Sequence, residues 1–153
     1  MKHHLLATAV SLAALLSAGQ ADARQVTITT QLNSFAGPRA YAAVYLTDPA
    51  GTVVDTLWVA GGKSKYYKHL RSWARGSKAS RSNLHSVTGA SVGSGGKLRV
   101  SADIADTMIA DGYQIRVDTS VEDNADHPRS AVLTLGQQTS VPGRGFVHTL
   151  SLK

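Results

Sequence analysis

The chain of 153 residues contains no cysteine. That absence excludes disulfides, thiolate metal sites, iron–sulfur clusters, c-type haem attachment and a lipobox. Packing and hydrogen bonds alone must hold the fold. Acids are scarce, ten Asp and Glu against sixteen Lys and Arg, for a formal net charge of +6. There is no G-x-S-x-G elbow, no Walker loop and no H-E-x-x-H. The usual hydrolase, nucleotide and zinc-protease signatures are therefore missing. Beyond the N-terminus the histidines are His69, His85, His127 and His148, far apart in the chain. A Ser-His-Asp triad meets only in space, and nothing in the sequence points to one. No residue is assigned a catalytic role.

Met1 to His4 is a basic start, and Leu5 to Leu16 is a short apolar run. Ala21-Asp22-Ala23 has the A-x-A form of a signal-peptidase site. Residues 1–23 are read as a secretory signal peptide cleaved after Ala23, and 24–153 as a single domain. The run is short for a membrane span, and no later segment is apolar enough to cross. The expected location is a bacterial periplasm, with no span left after cleavage.

Charge is unevenly placed. Nine Lys and Arg and no acid lie between Lys63 and Arg99, whereas seven acids and one base lie between Asp103 and Asp126. Such polarity suits two solvated faces, two lobes that attract each other, or a basic docking face for an acidic partner, an anionic cofactor or lipid headgroups. It does not suit a nucleic-acid binder, which is basic throughout.

Period-two alternation dominates. It predicts strands over 26–32, 41–47, 52–59, 98–104, 113–121, 130–135 and 146–152. Asp48-Pro49-Ala50-Gly51 is a turn signal. Asp106 to Asp111 is a short connection or helical turn ended by Gly112. Residues 64–75 lack alternation and carry Tyr66, Leu70, Trp73 and Ser77 at helical spacing. They predict one amphipathic helix, with Ser64 as N-cap, laid across the sheets or over an edge. Its cations Lys65, Lys68, Arg71 and Arg75 form the candidate docking face. About seven strands and one helix predict an all-β, antiparallel sandwich of immunoglobulin or fibronectin type III.

Two further stretches invite chemistry. Glu122, Asp123, Asp126 and His127 offer hard oxygens and an imidazole, weak candidates for a divalent metal. Without the Gly and terminal Glu of an EF-hand, they read equally as a solvated hairpin loop. Gly93 to Gly96 has the look of a phosphate cradle, but no helix follows it.

The pieces "VYLTDPAGTVVDTLWVAG" (44–61), "KYYKHLRSWAR" (65–75), "VTGAS" (87–91) and "ADIADTMIADGYQIRVDTSVED" (102–123) resemble, in this order, a bacterial family of predicted periplasmic proteins, domain of unknown function 2271. The piece from Ala110 to Val117 also resembles the immunoglobulin-like repeat of flagellar-hook-capping proteins. The family resemblance implies a setting of PepSY-type membrane reductases, flavin transferases and outer-membrane iron receptors, hence an accessory role in extracytoplasmic electron transfer or iron handling. Flavin transferases attach FMN to exported proteins at a motif similar to D-x-x-[S/T]-G-A-[S/T]. Here the frame runs from His85 to Ser91. Thr88, Gly89, Ala90 and Ser91 match, Ser91 would be the acceptor, and His85 replaces the leading Asp. Lys78, Arg81 and Lys97 are the nearby cations. The expected role is an electron carrier with covalent FMN on Ser91. A cofactor-free protein-binding module and a divalent-metal binder are the alternatives.

Overall fold

The structure is a computed structural model that describes residues 22–77, 84 and 86–153. Two sheets face each other as a sandwich. One has four strands in the order β5-β1-β9-β8 and the other five in the order β4-β3-β2-β6-β7. The strands are β1 (Ala23–Leu32), β2 (Tyr41–Thr47), β3 (Val53–Ala60), β4 (Thr88–Gly89), β5 (Lys97–Ala105), β6 (Gln114–Ser120), β7 (Asp126–Thr134), β8 (Ser140–Pro142) and β9 (Val147–Leu152). Two short helices, α1 (Arg71–Gly76) and α2 (Asp106–Ala110), and a 3-10 turn over Ser64–His69 accompany the strands. The all-β sandwich expected from alternation is what forms.

The core lies between the sheets. Val26 and Ile28 of β1, Val44 and Leu46 of β2, and Ile115 and Val117 of β6 point into it. The alternation of β1 and β5 follows from having one face inward and one in water. The central strand β2 departs from it, because six of its seven residues are buried. Ala43 and Tyr45 leave the sandwich core and enter a second cluster with Val59, Tyr67, Leu70, Trp73 and Ala74. The segment from 64 to 76 thus lies on the outer face of the five-stranded sheet, as a third layer. A strand covered on both faces reads as a nearly continuous apolar run.

Six details differ from expectation. The single helix over 64–75 is two pieces, broken at Leu70, whose ψ of 71° is not helical. Tyr67 rather than Tyr66 is the buried aromatic, at 7% exposure. It donates its hydroxyl to the Gly61 carbonyl at 2.8 Å and sets its ring edge-on to Trp73. Lys63, not Ser64, occupies the cap position, and no side chain caps the turn. β7 already starts at Asp126, ahead of the strand expected from 130, so the loop after β6 is short. Strands β4 and β8, two and three residues long, are too brief for any period to show, which takes the count from seven to nine. β4 pairs with β3 in parallel, so the sheet is not purely antiparallel.

The Asp48 to Gly51 turn forms as read. Gly51 N donates to the Asp48 carbonyl and Thr52 N to Asp48 Oδ1, at 3.0 and 2.9 Å.

Candidate functional site

Asp118 fixes the helical layer to the sheet. Its side chain is fully buried on the outer face of β6. Oδ1 accepts from the Tyr45 hydroxyl and from Arg129 N, both at 2.8 Å, and Oδ2 accepts from Trp73 N at 2.9 Å. The last contact satisfies an amide in the first turn of α1, where no intrahelical acceptor exists. Arg129 reaches Asp118 because β7 bulges there, with Arg129 at a φ of 50°. Burial, reinforced by the charge of Asp118, pushes the Tyr45 hydroxyl far up, so it stays a donor. The Trp73 indole donates to Thr56 Oγ1 at 2.9 Å, tying α1 to β3 as well.

With the layer fixed, the basic and acidic stretches of the sequence meet. A cleft of about 370 Å³ opens between the 64–71 segment and the turn joining β6 to β7, and Tyr41, Tyr66, His69, Arg71, Glu122 and Asp126 are among its lining residues. Asp126 Oδ2 accepts from Arg71 Nε at 2.9 Å and lies 3.1 Å from His69 Nδ1. Its Oδ1 accepts from Ser120 Oγ at 2.8 Å. Partial burial raises the pKa of Asp126, but the bonds from Ser120, His69 and Arg71 outweigh it and hold the carboxyl below the usual range. Tyr66 donates to Glu122 Oε1 at 2.9 Å, and its ring stands edge-on to Tyr41. The His69–Asp126 pair can orient an imidazole. Ser120, the hydroxyl beside it, is already spent on Asp126.

The metal candidates are dispersed. Glu122 is engaged by Tyr66 and Asp126 by Arg71 and His69. The His127 ring instead packs edge-on to Phe146, 4.9 Å between centroids. Among the described residues no three His, Asp or Glu side chains gather around a common point. The docking cations are divided too. Lys65 Nζ sits 4.9 Å from the centre of the Tyr66 ring, and Arg71 turns to Asp126. Lys68 is exposed, and Arg75 lines a different depression. The break at Leu70 is what prevents a single basic stripe.

The Thr88 to Ser91 segment is not a free loop. Thr88 and Gly89 form β4 beside Val59 and Ala60, and Gly61 N donates to the Gly89 carbonyl at 2.8 Å. Ala40 and Val92 then exchange both backbone bonds, at 2.7 and 2.9 Å. Ser91 stands half-buried between these two tethers. Its carbonyl accepts from Arg39 Nε at 3.1 Å and Nη2 at 2.6 Å. Gly89 is required by packing, since a Cβ there would lie 2.6 Å from Trp58 Cζ2. The glycines after Ser91 make a turn pinned to the start of the chain. Gly95 N donates to the Asn33 carbonyl, and Ser94 Oγ accepts from Phe35 N. That turn is a connection to β5 and not a phosphate cradle. His85, Lys78 and Arg81 lie outside the described residues, and Lys97 is exposed on β5. Arg39 and Trp58, which flank the acceptor segment, carry no sequence signal. They reach it only through the pairing of distant strands.

Among the described residues no helix is long and apolar enough to cross a membrane. No curated protein matches the chain, and neither does any solved structure. A family model matches residues 23–149, nearly the whole described region. The chain belongs to the DUF2271 family of predicted periplasmic proteins.

Proposed function

We propose that the protein is a periplasmic accessory of a redox or iron-handling system, carrying FMN on Ser91 as an electron carrier served by a membrane reductase. The observation that carries this reading is the placement of Ser91, half-buried beside the Arg39 guanidinium and between two backbone tethers. A phosphoester on Oγ would put an anion next to a fixed cation, where charge-assisted bonds are short and strong. The transfer forms the Ser91 Oγ–phosphorus bond as the pyrophosphate bond of a flavin adenine dinucleotide donor breaks and AMP leaves with the hydroxyl proton, so the protein gains FMN minus water. The flavin supplies the electron transfer. The chain holds the attachment point rigid through β4 and the Ala40–Val92 bridge, and Trp58 gives this edge an aromatic, half-buried side chain. His85 in place of the motif Asp means that transfer must proceed without that carboxylate.

The test is the intact mass of the exported protein from cells that co-express a flavin transferase. A gain of one FMN minus water, abolished by Ser91→Ala, is the expected result. An unmodified mass, with a known substrate flavinylated in the same cells, overturns the carrier reading. A second reading, a cofactor-free module that grips a partner protein, is favoured by the aromatic and charged cleft between Tyr66 and Asp126. Visible absorption separates the two, because a flavoprotein is yellow.

A further inference from the structure

A second depression lies at the other end of the helical layer. It has a volume of about 400 Å³, and Ser72, Arg75, Arg116 and Arg129 line it together with the turn at Gly51 and Thr52. Three elements supply the three arginines: α1, β6 and the bulge of β7. No acidic residue lines it. All ten Asp and Glu of the chain are described residues, yet none lies within 4.0 Å of Arg75, Arg116 or Arg129 in an ion pair. Three arginines thus line one opening, none with a carboxylate partner, and their like charges repel unless an anion binds between them.

Arg116 is prearranged. Its Nε and Nη2 both donate to Gln114 Oε1, at 3.0 and 2.7 Å. The turn beneath it needs glycine twice over. Gly51 has a φ of 90°, and a Cβ there would come within 3.0 Å of Arg116 Nη2. Arg129 is held at its own backbone, through Asp118 on one side and the Arg144 side chain on the other.

We propose that this depression binds the phosphate group of a small phosphomonoester. A carboxylate has two oxygens and matches one guanidinium fork. A phosphomonoester presents three terminal oxygens and a charge near −2, which suits several arginines. The volume is in the range of small-molecule sites, so it leaves room for an organic group beyond the phosphate. The site is distinct from Ser91. It sits at the Val53 end of β3, whereas β4 pairs at the Val59–Ala60 end, roughly 20 Å away at 3.3 Å per residue.

Calorimetric titration of the exported protein with inorganic phosphate, glycerol 3-phosphate and succinate tests the assignment. Binding of both phosphates, weak or absent binding of succinate, and a fall in affinity with added salt are expected. Arg75→Gln and Arg116→Gln should each weaken glycerol 3-phosphate at least about tenfold, and Arg71→Gln, in the other cleft, should not. Arg75 is exposed on the surface of α1, so its variant keeps the test open should Arg116→Gln fail to fold. Absence of binding at millimolar phosphate, or binding indifferent to both variants, overturns the proposal. Binding to vesicles containing phosphatidic acid, without binding of the soluble phosphates, overturns it as well and makes the site a lipid-headgroup contact.

Discussion

Replacing Asp118 with Asn tests how the helical layer is held. The side chain keeps its size, so packing is unchanged and only the hydrogen-bond roles differ. One carboxylate oxygen becomes an NH2 donor. If the amide oxygen keeps the Tyr45 hydroxyl and Arg129 N, the NH2 confronts the Trp73 N–H. If the amide is flipped, the Tyr45 hydroxyl can turn and accept from it, but Arg129 N–H then has no acceptor. Either way one backbone donor loses its acceptor on Asp118, the buried Trp73 N–H or the part-buried Arg129 N–H, at about 1–3 kcal/mol. A loss of about 2 kcal/mol corresponds to roughly 8 °C in Tm for a domain of this size. Asp118→Ala removes the acceptor that all three donors share and should cost roughly 3–5 kcal/mol. Denaturant unfolding gives the totals. Hydrogen exchange at the Trp73 amide gives the location, because that bond is the tie between α1 and the sheet. An Asn variant within about 0.5 kcal/mol of the parent, which is the range of an ordinary surface change, with unchanged Trp73 exchange, would refute this account of the layer.

Asp126 predicts an acid-side dependence. Its folded pKa lies below the ordinary 3.8, so its contribution to stability is complete above that value and is lost as pH falls through the folded pKa. Unfolding measured from pH 5 downward should show this loss, and Asp126→Asn should flatten it; an unchanged slope in the variant counts against the ion pairs with Arg71 and His69. Gly89→Ala should destabilise by about 1–3 kcal/mol, the usual cost of overpacking, because the new Cβ meets Trp58 at 2.6 Å. A second change, Trp58→Leu, should recover part of that loss, and a Gly89→Ala protein as stable as the parent would show that the close approach is not real.

The candidate sites were legible to different degrees. The Thr88 to Ser91 motif and the opposed charge blocks stand in the linear chain, and so does the possibility that the two blocks attract. The contacts that give them geometry do not. Arg39 bonds Ser91 across 52 positions, and Asp126 bonds Arg71 across 55. The helix was legible as a stripe, but a period of 3.6 selects Tyr66. The 3-10 turn, three residues per turn, brings in Tyr67 instead, because Gly61 and Trp73 receive it. Asp118 stands in the strand expected over 113–121, and nothing local shows that α1 will cover it.

Local patterning by itself determined seven of the nine described strands, the Asp48 turn and the two-sheet class, because side chains alternate at fixed spacing whatever lies far away. The family's motifs also stand in the sequence alone, and with them the periplasmic setting. Tertiary structure decided which face of β2 is covered twice, where the helical layer lands, and which cations keep a carboxylate. Arg71 found Asp126, while Arg75, Arg116 and Arg129 line one depression that holds no acidic residue. Charge pairing acts over a few ångströms between residues dozens of positions apart. Only the folded chain can settle which charges become partners and which do not.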